Sequence, residues 1–141
     1  MGYADKAEEL FRSGLSCAQA VSMALAPKVG LDENTLKAIS APFGAGFARS
    51  REVCGAVSGM LMIIGYAHPE LQKREIYALS REAMEEFKAE LGSYVCREIL
   101  KTAAETSSVP SERTPEYYVK RVSCVTCVRT AAAIADRYTS R

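Results

Sequence analysis

The sequence predicts an all-α fold, a single-domain compact helical bundle of about six to seven helices over residues 1–141. Three observations carry that expectation. Apolar residues recur at helical spacing in nearly every segment. Helix-start residues precede those segments, and Gly or Pro follows them. No segment shows the period-two alternation of a half-buried strand.

Tyr3, Ala7, Leu10 and Phe11 form one face of a first helix that stops at Gly14. Ser16 and Gln19 make a Ser-x-x-Gln capping box for a second helix. Its stripe is Cys17, Ala20, Val21, Ala24 and Leu25, and Pro27 and Gly30 mark its exit. Asp32 caps a short third helix that ends before Pro42. The loop Phe43-Gly44-Ala45-Gly46-Phe47-Ala48-Arg49 follows, and Ser50 is the expected cap of a fourth helix running to about Tyr66. Gly55 and Gly59, with Ala56 and Ser58, leave room for another backbone to approach this helix. Its remaining surface is apolar almost all round, which places it at the centre of the bundle.

His68-Pro69 breaks the chain. Leu71 to Leu91 reads as a long amphipathic helix ending at Gly92, and Ser93 as the cap of a short helix containing Cys96. The polar segment Ala104 to Pro115, with two prolines, is the expected mobile loop. Thr114-Pro115-Glu116 starts another helix, and the last one begins near Ser123.

Composition excludes several function classes. A hydrophobic fraction of 48% and a charged fraction of 25% are ordinary for a globular domain. A net charge of +1 gives no electrostatic basis for nucleic acid or an anionic membrane surface as partner. The longest apolar stretch, Val53 to Ala67, contains three glycines and is too short to span a bilayer. The acidic, amphipathic start lacks a signal-peptide pattern, and Lys6 stands where a myristoylation motif needs Ser or Thr. The expected location is cytoplasmic, without membrane insertion. Thiols there are normally reduced, so cysteines more often serve metal or catalytic chemistry than structural bridges.

The chain has five cysteines: Cys17, Cys54, Cys96, Cys124 and Cys127. Four of them fall in the first turn of a predicted helix, where the helix field favours the thiolate. Only Cys124-x-x-Cys127 is a C-x-x-C, and no second knuckle completes a zinc ribbon. A joint site must therefore be assembled by the tertiary fold. Cys17 and Cys96 also read as small core residues on apolar stripes. Cys54 is the stronger candidate, because Arg49, Arg51 and a helix N-terminus would all lower its pKa. The C-x-x-C is either a redox pair or two packing residues on one helix face. His68, the only histidine, reads as a partner for a helix C-terminus. Gly44-x-Gly46 bends the chain so that amides could face a thiolate, a cluster sulfide or an anion.

Phe43-Gly44-x-Gly46 … Arg49 … Glu52-Val53-Cys54-Gly55-Ala56-Val57-Ser58-Gly59 resembles the signature of the C_GCAxxG_C_C family of putative redox-active proteins. The Cys-Gly-Ala-x-x-Gly motif is Cys54 to Gly59. The other characteristic cysteines correspond to Cys17, Cys96 and Cys124. Cys127 is additional, and Ala45, Ala48 and Arg51 stand where a more glycine-rich loop is expected. The resemblance implies a helical fold and a redox role. Related domains occur with haem modules where an iron-sulfur centre is bound.

The leading expectation is a redox-active protein in which Cys17, Cys54, Cys96 and Cys124 converge. They either ligate a metal or iron-sulfur centre for electron transfer, beside Gly44, Gly46 and Gly55, or exchange disulfides with Cys54 as attacking thiolate. The expected partner is a redox protein of unknown identity, and a homodimer is one expected assembly. The alternative is a non-enzymatic metal- or ligand-binding module accessory to a transporter.

Overall fold

The computed structural model describes residues 2–103 and 107–141. Among these there are eight right-handed α-helices and no strand. They are α1 (Tyr3–Arg12), α2 (Cys17–Val29), α3 (Glu33–Ser40), α4 (Gly55–Ala67), α5 (Lys73–Leu91), α6 (Cys96–Leu100), α7 (Pro115–Lys120) and α8 (Val122–Thr139). The all-α expectation holds, with eight helices where about six to seven were expected. Of the expected mobile loop, positions 104–106 lie outside the described residues, and 107–114 carry no regular secondary structure.

Local signals set most of the boundaries. Ser16 and Gln19 exchange both capping-box bonds: Ser16 Oγ accepts from the Gln19 amide at 3.2 Å and Gln19 Oε1 accepts from the Ser16 amide at 3.1 Å. Asp32 caps α3 through the Thr35 amide, and Thr114 caps α7 through the Tyr117 amide. Pro27 lies inside the last turn of α2 instead of ending it, and the stop is Gly30 at φ 80°.

The core lies where α2, α4 and α8 meet, with α1 and α5 closing its sides. Val57, Met60, Ile63 and Ile64 of α4 are fully buried, against Val21 and Leu25 of α2 and Val128, Ala131 and Ala132 of α8. Each large side chain buried in this way contributes about 1.5–3 kcal/mol. Helix α4 is thus the central helix, as its apolar surface predicts. No described helix is long and apolar enough to cross a membrane.

Two boundaries depart from expectation: α6 has Val95 and not Ser93 as its N-cap, because Ser93 bonds the Val95 amide and Glu98 instead, and α4 starts later than expected. Ser50 does not cap α4; the N-cap is Cys54. The intervening chain coils left-handed, with φ of 55° at Ala45, 69° at Gly46, 66° at Phe47, 51° at Ala48, 70° at Arg49 and 58° at Arg51. Amides of the turn bond back into it: Arg49 to the Gly44 carbonyl, Arg51 to Ala45 and Glu52 to Gly46. Gly46 is needed there, since a Cβ would lie 2.7 Å from the Glu52 nitrogen. Left-handed residues with side chains cost roughly 1–2 kcal/mol each, so tertiary contacts must hold the turn.

Candidate functional site: a cavity lined by five thiols

Two crossings and one pairing of extended segments bring the thiols together. The first crossing is α2 against α4. A Cβ on Gly59 would stand 2.7 Å from the Ala18 carbonyl oxygen, and one on Gly55 would stand 3.1 Å from the Ala18 nitrogen. Only glycine permits that approach, and it sets Cys17, one residue before Ala18, beside Cys54, one residue before Gly55. Gly44 closes the same corner, where a Cβ would lie 2.8 Å from that of Ser16.

The pairing joins the segments before α4 and α6. Val53 and Val95 form an isolated antiparallel bridge. The Cys54 amide donates to the Tyr94 carbonyl at 2.8 Å, and the Cys96 amide donates to the Glu52 carbonyl at 2.6 Å. Cys96 is thereby registered next to Cys54. Ser93 sits before Val95, which is the α6 N-cap, and supports the approach: it accepts from the Val95 amide at 3.0 Å and donates to Glu98 at 2.6 Å.

The second crossing lays α8 over both. Arg129 holds it to α1 through Asp5 at 2.9 Å and Glu8 at 2.8 Å. Cys124 and Cys127, one turn apart on α8, face the other thiols. All five cysteines line one cavity of about 290 Å³. Its wall also includes Arg49, Arg51, Arg113, Tyr117 and the backbone at Gly44, Gly46 and Gly55.

Inside the cavity the thiols are paired. All five are free of disulfide bonds. Cys17 is electrostatically coupled to Cys124, and Cys54 to Cys127. The Cys17–Cys124 pair is half-buried, whereas Cys54 and Cys127 are 5% and 2% exposed. Each pair is electrically lopsided. The Cys127 thiol, together with the amides of Ala56 and Val57 at the α4 N-terminus, holds Cys54 below the ordinary thiol range. Cys127, as donor and under burial, is pushed far up. Cys124 is lowered by the Cys17 hydrogen bond and by Arg121, Arg51 and Arg113. Cys17 is raised by that same bond and by burial. Each pair therefore holds one thiolate-prone sulfur and one proton donor.

Cys96 stands apart from the pairs. Burial raises its pKa, and the Arg51 guanidinium, with Nη1 3.7 Å from Sγ, pulls in the opposite direction. Arg51 was expected to act on Cys54. Its Nη1 lies beside the Cys96 sulfur, and its charge also acts on Cys124.

The structure thus brings Cys17, Cys54, Cys96 and Cys124 to one cavity and adds Cys127 as the partner of Cys54. The C-x-x-C spacing was the available signal for Cys127, but its two members face different partners across the cavity. Arg113 had no such signal. Its guanidinium lies 4.8 Å from the Phe11 and Tyr117 ring centres and donates to the Phe11 carbonyl at 3.1 Å. His68 lies outside the cavity, where its Nε2 is 2.7 Å from the Tyr138 carbonyl oxygen, joining the end of α4 to the end of α8. Among the described residues, no three or more His, Cys, Asp or Glu side chains are placed to hold a single metal ion.

The family model described as "Putative redox-active protein (C_GCAxxG_C_C)" matches residues 15–138. The chain belongs to this family. The match runs from the α2 capping box into the last turn of α8, so it includes every element that supplies a thiol to the cavity. No curated protein and no solved structure matches the chain. In this C_GCAxxG_C_C protein the motif unites packing and chemistry: Cys54 is the α4 N-cap, and Gly55 and Gly59 are the crossing point with α2.

Proposed function

We propose that this protein carries out thiol–disulfide redox chemistry in the five-thiol cavity. The observation that carries the reading is that five disulfide-free cysteines line one cavity, where Cys54 is coupled to Cys127 and Cys17 to Cys124.

The chemistry is a two-step exchange with a partner disulfide R–S–S–R′. A thiolate, Cys54 or Cys124, attacks one sulfur. The R–S–S–R′ bond breaks, a mixed disulfide forms and R′S⁻ leaves. The contacting thiol, Cys127 or Cys17, gives its proton to that leaving group. Its sulfur then attacks the mixed disulfide, which closes the internal disulfide and releases RS⁻. The partner disulfide is reduced by two electrons and the protein dithiol is oxidised by two. Run in reverse, the same steps oxidise a partner dithiol.

A second reading is favoured by the donor set. Five soft sulfurs around one cavity are the chemistry that an iron-sulfur cluster takes, with ligands at its rim instead of at one point. Cys17, Cys54, Cys96 and Cys124 would hold it, beside the backbone of Gly44, Gly46 and Gly55, and when bound it would supply electron transfer.

One preparation separates the readings. The protein is purified anaerobically, its visible spectrum is recorded, and iron, zinc and acid-labile sulfide are assayed on the same sample. The expected result is colourless, metal-free protein that forms Cys17–Cys124 and Cys54–Cys127 disulfides in an oxidising glutathione buffer. Stoichiometric iron and sulfide with charge-transfer bands would replace the first reading with the second. Thiols that react only after unfolding would sink both.

A further inference from the structure

We infer that the two thiol pairs form a relay, in which Cys17 and Cys124 exchange with the partner and pass the disulfide inward to Cys54 and Cys127. This rests on the thiol–disulfide reading above and adds to it a direction and a division of labour.

Two observations point to it. The pairs differ in access: Cys17 and Cys124 are half-buried, while Cys54 and Cys127 are 5% and 2% exposed. A bulky disulfide therefore meets the outer pair first. The pairs are also contiguous. Cys124 and Cys127 lie one turn apart on α8, and the α2–α4 crossing at Ala18 and Gly55 sets Cys17 beside Cys54.

The transfer balances within the protein. It starts from the Cys17–Cys124 disulfide, Cys54 as thiolate and Cys127 as thiol. Cys54 Sγ attacks Cys124 Sγ, the Cys17–Cys124 bond breaks, and Cys17 leaves as thiolate. Cys127 gives its proton to Cys17. Its sulfur attacks Cys54 Sγ, which closes the Cys54–Cys127 disulfide and frees Cys124 as thiolate. Two electrons pass from the inner pair to the outer pair and one proton moves from Cys127 to Cys17. The outer pair is then reduced and ready for a second partner disulfide. Two such disulfides are consumed before the protein is fully oxidised.

The test is a time course with the reduced full-length protein. Glutathione disulfide is added, samples are quenched by acid and alkylation, and disulfides are mapped by mass spectrometry. The expected order is Cys17–Cys124 first and Cys54–Cys127 later. In Cys124→Ser, formation of Cys54–Cys127 slows at least tenfold, and Cys17→Ser, which removes the outer disulfide by its other half, behaves alike. If Cys54–Cys127 appears first in the wild type, or at an unchanged rate in either variant, the relay is wrong while thiol–disulfide chemistry stands. If neither disulfide forms in the wild type, both readings fail together. The wild-type order does not depend on any variant folding.

Discussion

Replacing Gly59 with Ala tests whether the α2–α4 crossing sets the cavity. The added Cβ would start 2.7 Å from the Ala18 carbonyl oxygen, with the Ser22 nitrogen and Val21 Cβ each at 3.3 Å. Ordinary contact begins near 3.4 Å, and the nearest atom is helix backbone, so α2 itself must retreat. Two effects oppose each other. Ala in a helix interior is favoured over Gly by about 1 kcal/mol. Overpacking a close contact costs typically 1–3 kcal/mol. The contact wins where the neighbour is rigid, so the expected net loss is about 1–2 kcal/mol. Gly65, near the end of the same helix, has nothing within 4 Å of its would-be Cβ, so Gly65→Ala is expected to gain up to about 1 kcal/mol. The assay is urea unfolding under reducing conditions, where a loss of that size lowers the midpoint by about 0.5–1 M. Equal stabilisation by both substitutions would refute the crossing argument, because propensity alone predicts that result.

Three further outcomes follow from the geometry. Iodoacetamide at neutral pH is expected to label Cys54 and Cys124 ahead of Cys17 and Cys127, because the first two are lowered below the ordinary thiol range and the others raised. Labelling of Cys54 and Cys124 fades as pH falls through their lowered pKa values, and Cys127→Ala slows Cys54 labelling by removing its hydrogen-bond donor; peptide mapping by mass spectrometry reads both. Ala48, exposed at φ 51°, is expected to gain roughly 0.5–1 kcal/mol as Gly, whereas Gly46→Ala should lose on the order of 2–3 kcal/mol against the Glu52 and Arg51 backbone, both read from urea midpoints. Ser16→Ala removes the α2 capping box immediately before Cys17, with an expected loss of about 1 kcal/mol in the same assay.

What could be read from the chain follows the range of the forces involved. The caps at Ser16, Asp32 and Thr114 act within a few residues of themselves, so local sequence predicts α2, α3 and α7 correctly. Gly55 and Gly59 signal a close approach, although the sequence does not say that Ala18 is the neighbour. Ser50 reads as a cap locally, but the backbone from Ala45 to Arg51 is left-handed and carried largely by residues with side chains, which have no local preference for it. That conformation depends on distant partners, including the bonds from the Cys96 and Arg97 amides to the Glu52 and Arg51 carbonyls. The same limit hid the thiol pairs. Cys54 meets Cys127, and Cys17 meets Cys124, only after α8 has docked.

These particulars explain why a family motif can alternate cysteine with glycine. A thiolate at a helix N-cap gains from the helix amides, but alone it remains a single sulfur. Under the proposed thiol–disulfide chemistry it becomes a redox pair when another helix brings a second sulfur beside it. In this chain α8 delivers Cys127 to Cys54 and Cys124 to Cys17, while the glycine crossing holds Cys17 and Cys54 side by side. Enlarging Gly59 should therefore do more than destabilise the fold. By moving α2, it should separate Cys17 from both Cys54 and Cys124 while leaving the Cys54–Cys127 pair in place. Disulfide mapping of Gly59→Ala under oxidising conditions should show a lower yield of Cys17–Cys124 with Cys54–Cys127 retained. A parallel loss of both disulfides would mean that the pairs are not positioned independently, and that the crossing orders the whole cavity as one unit.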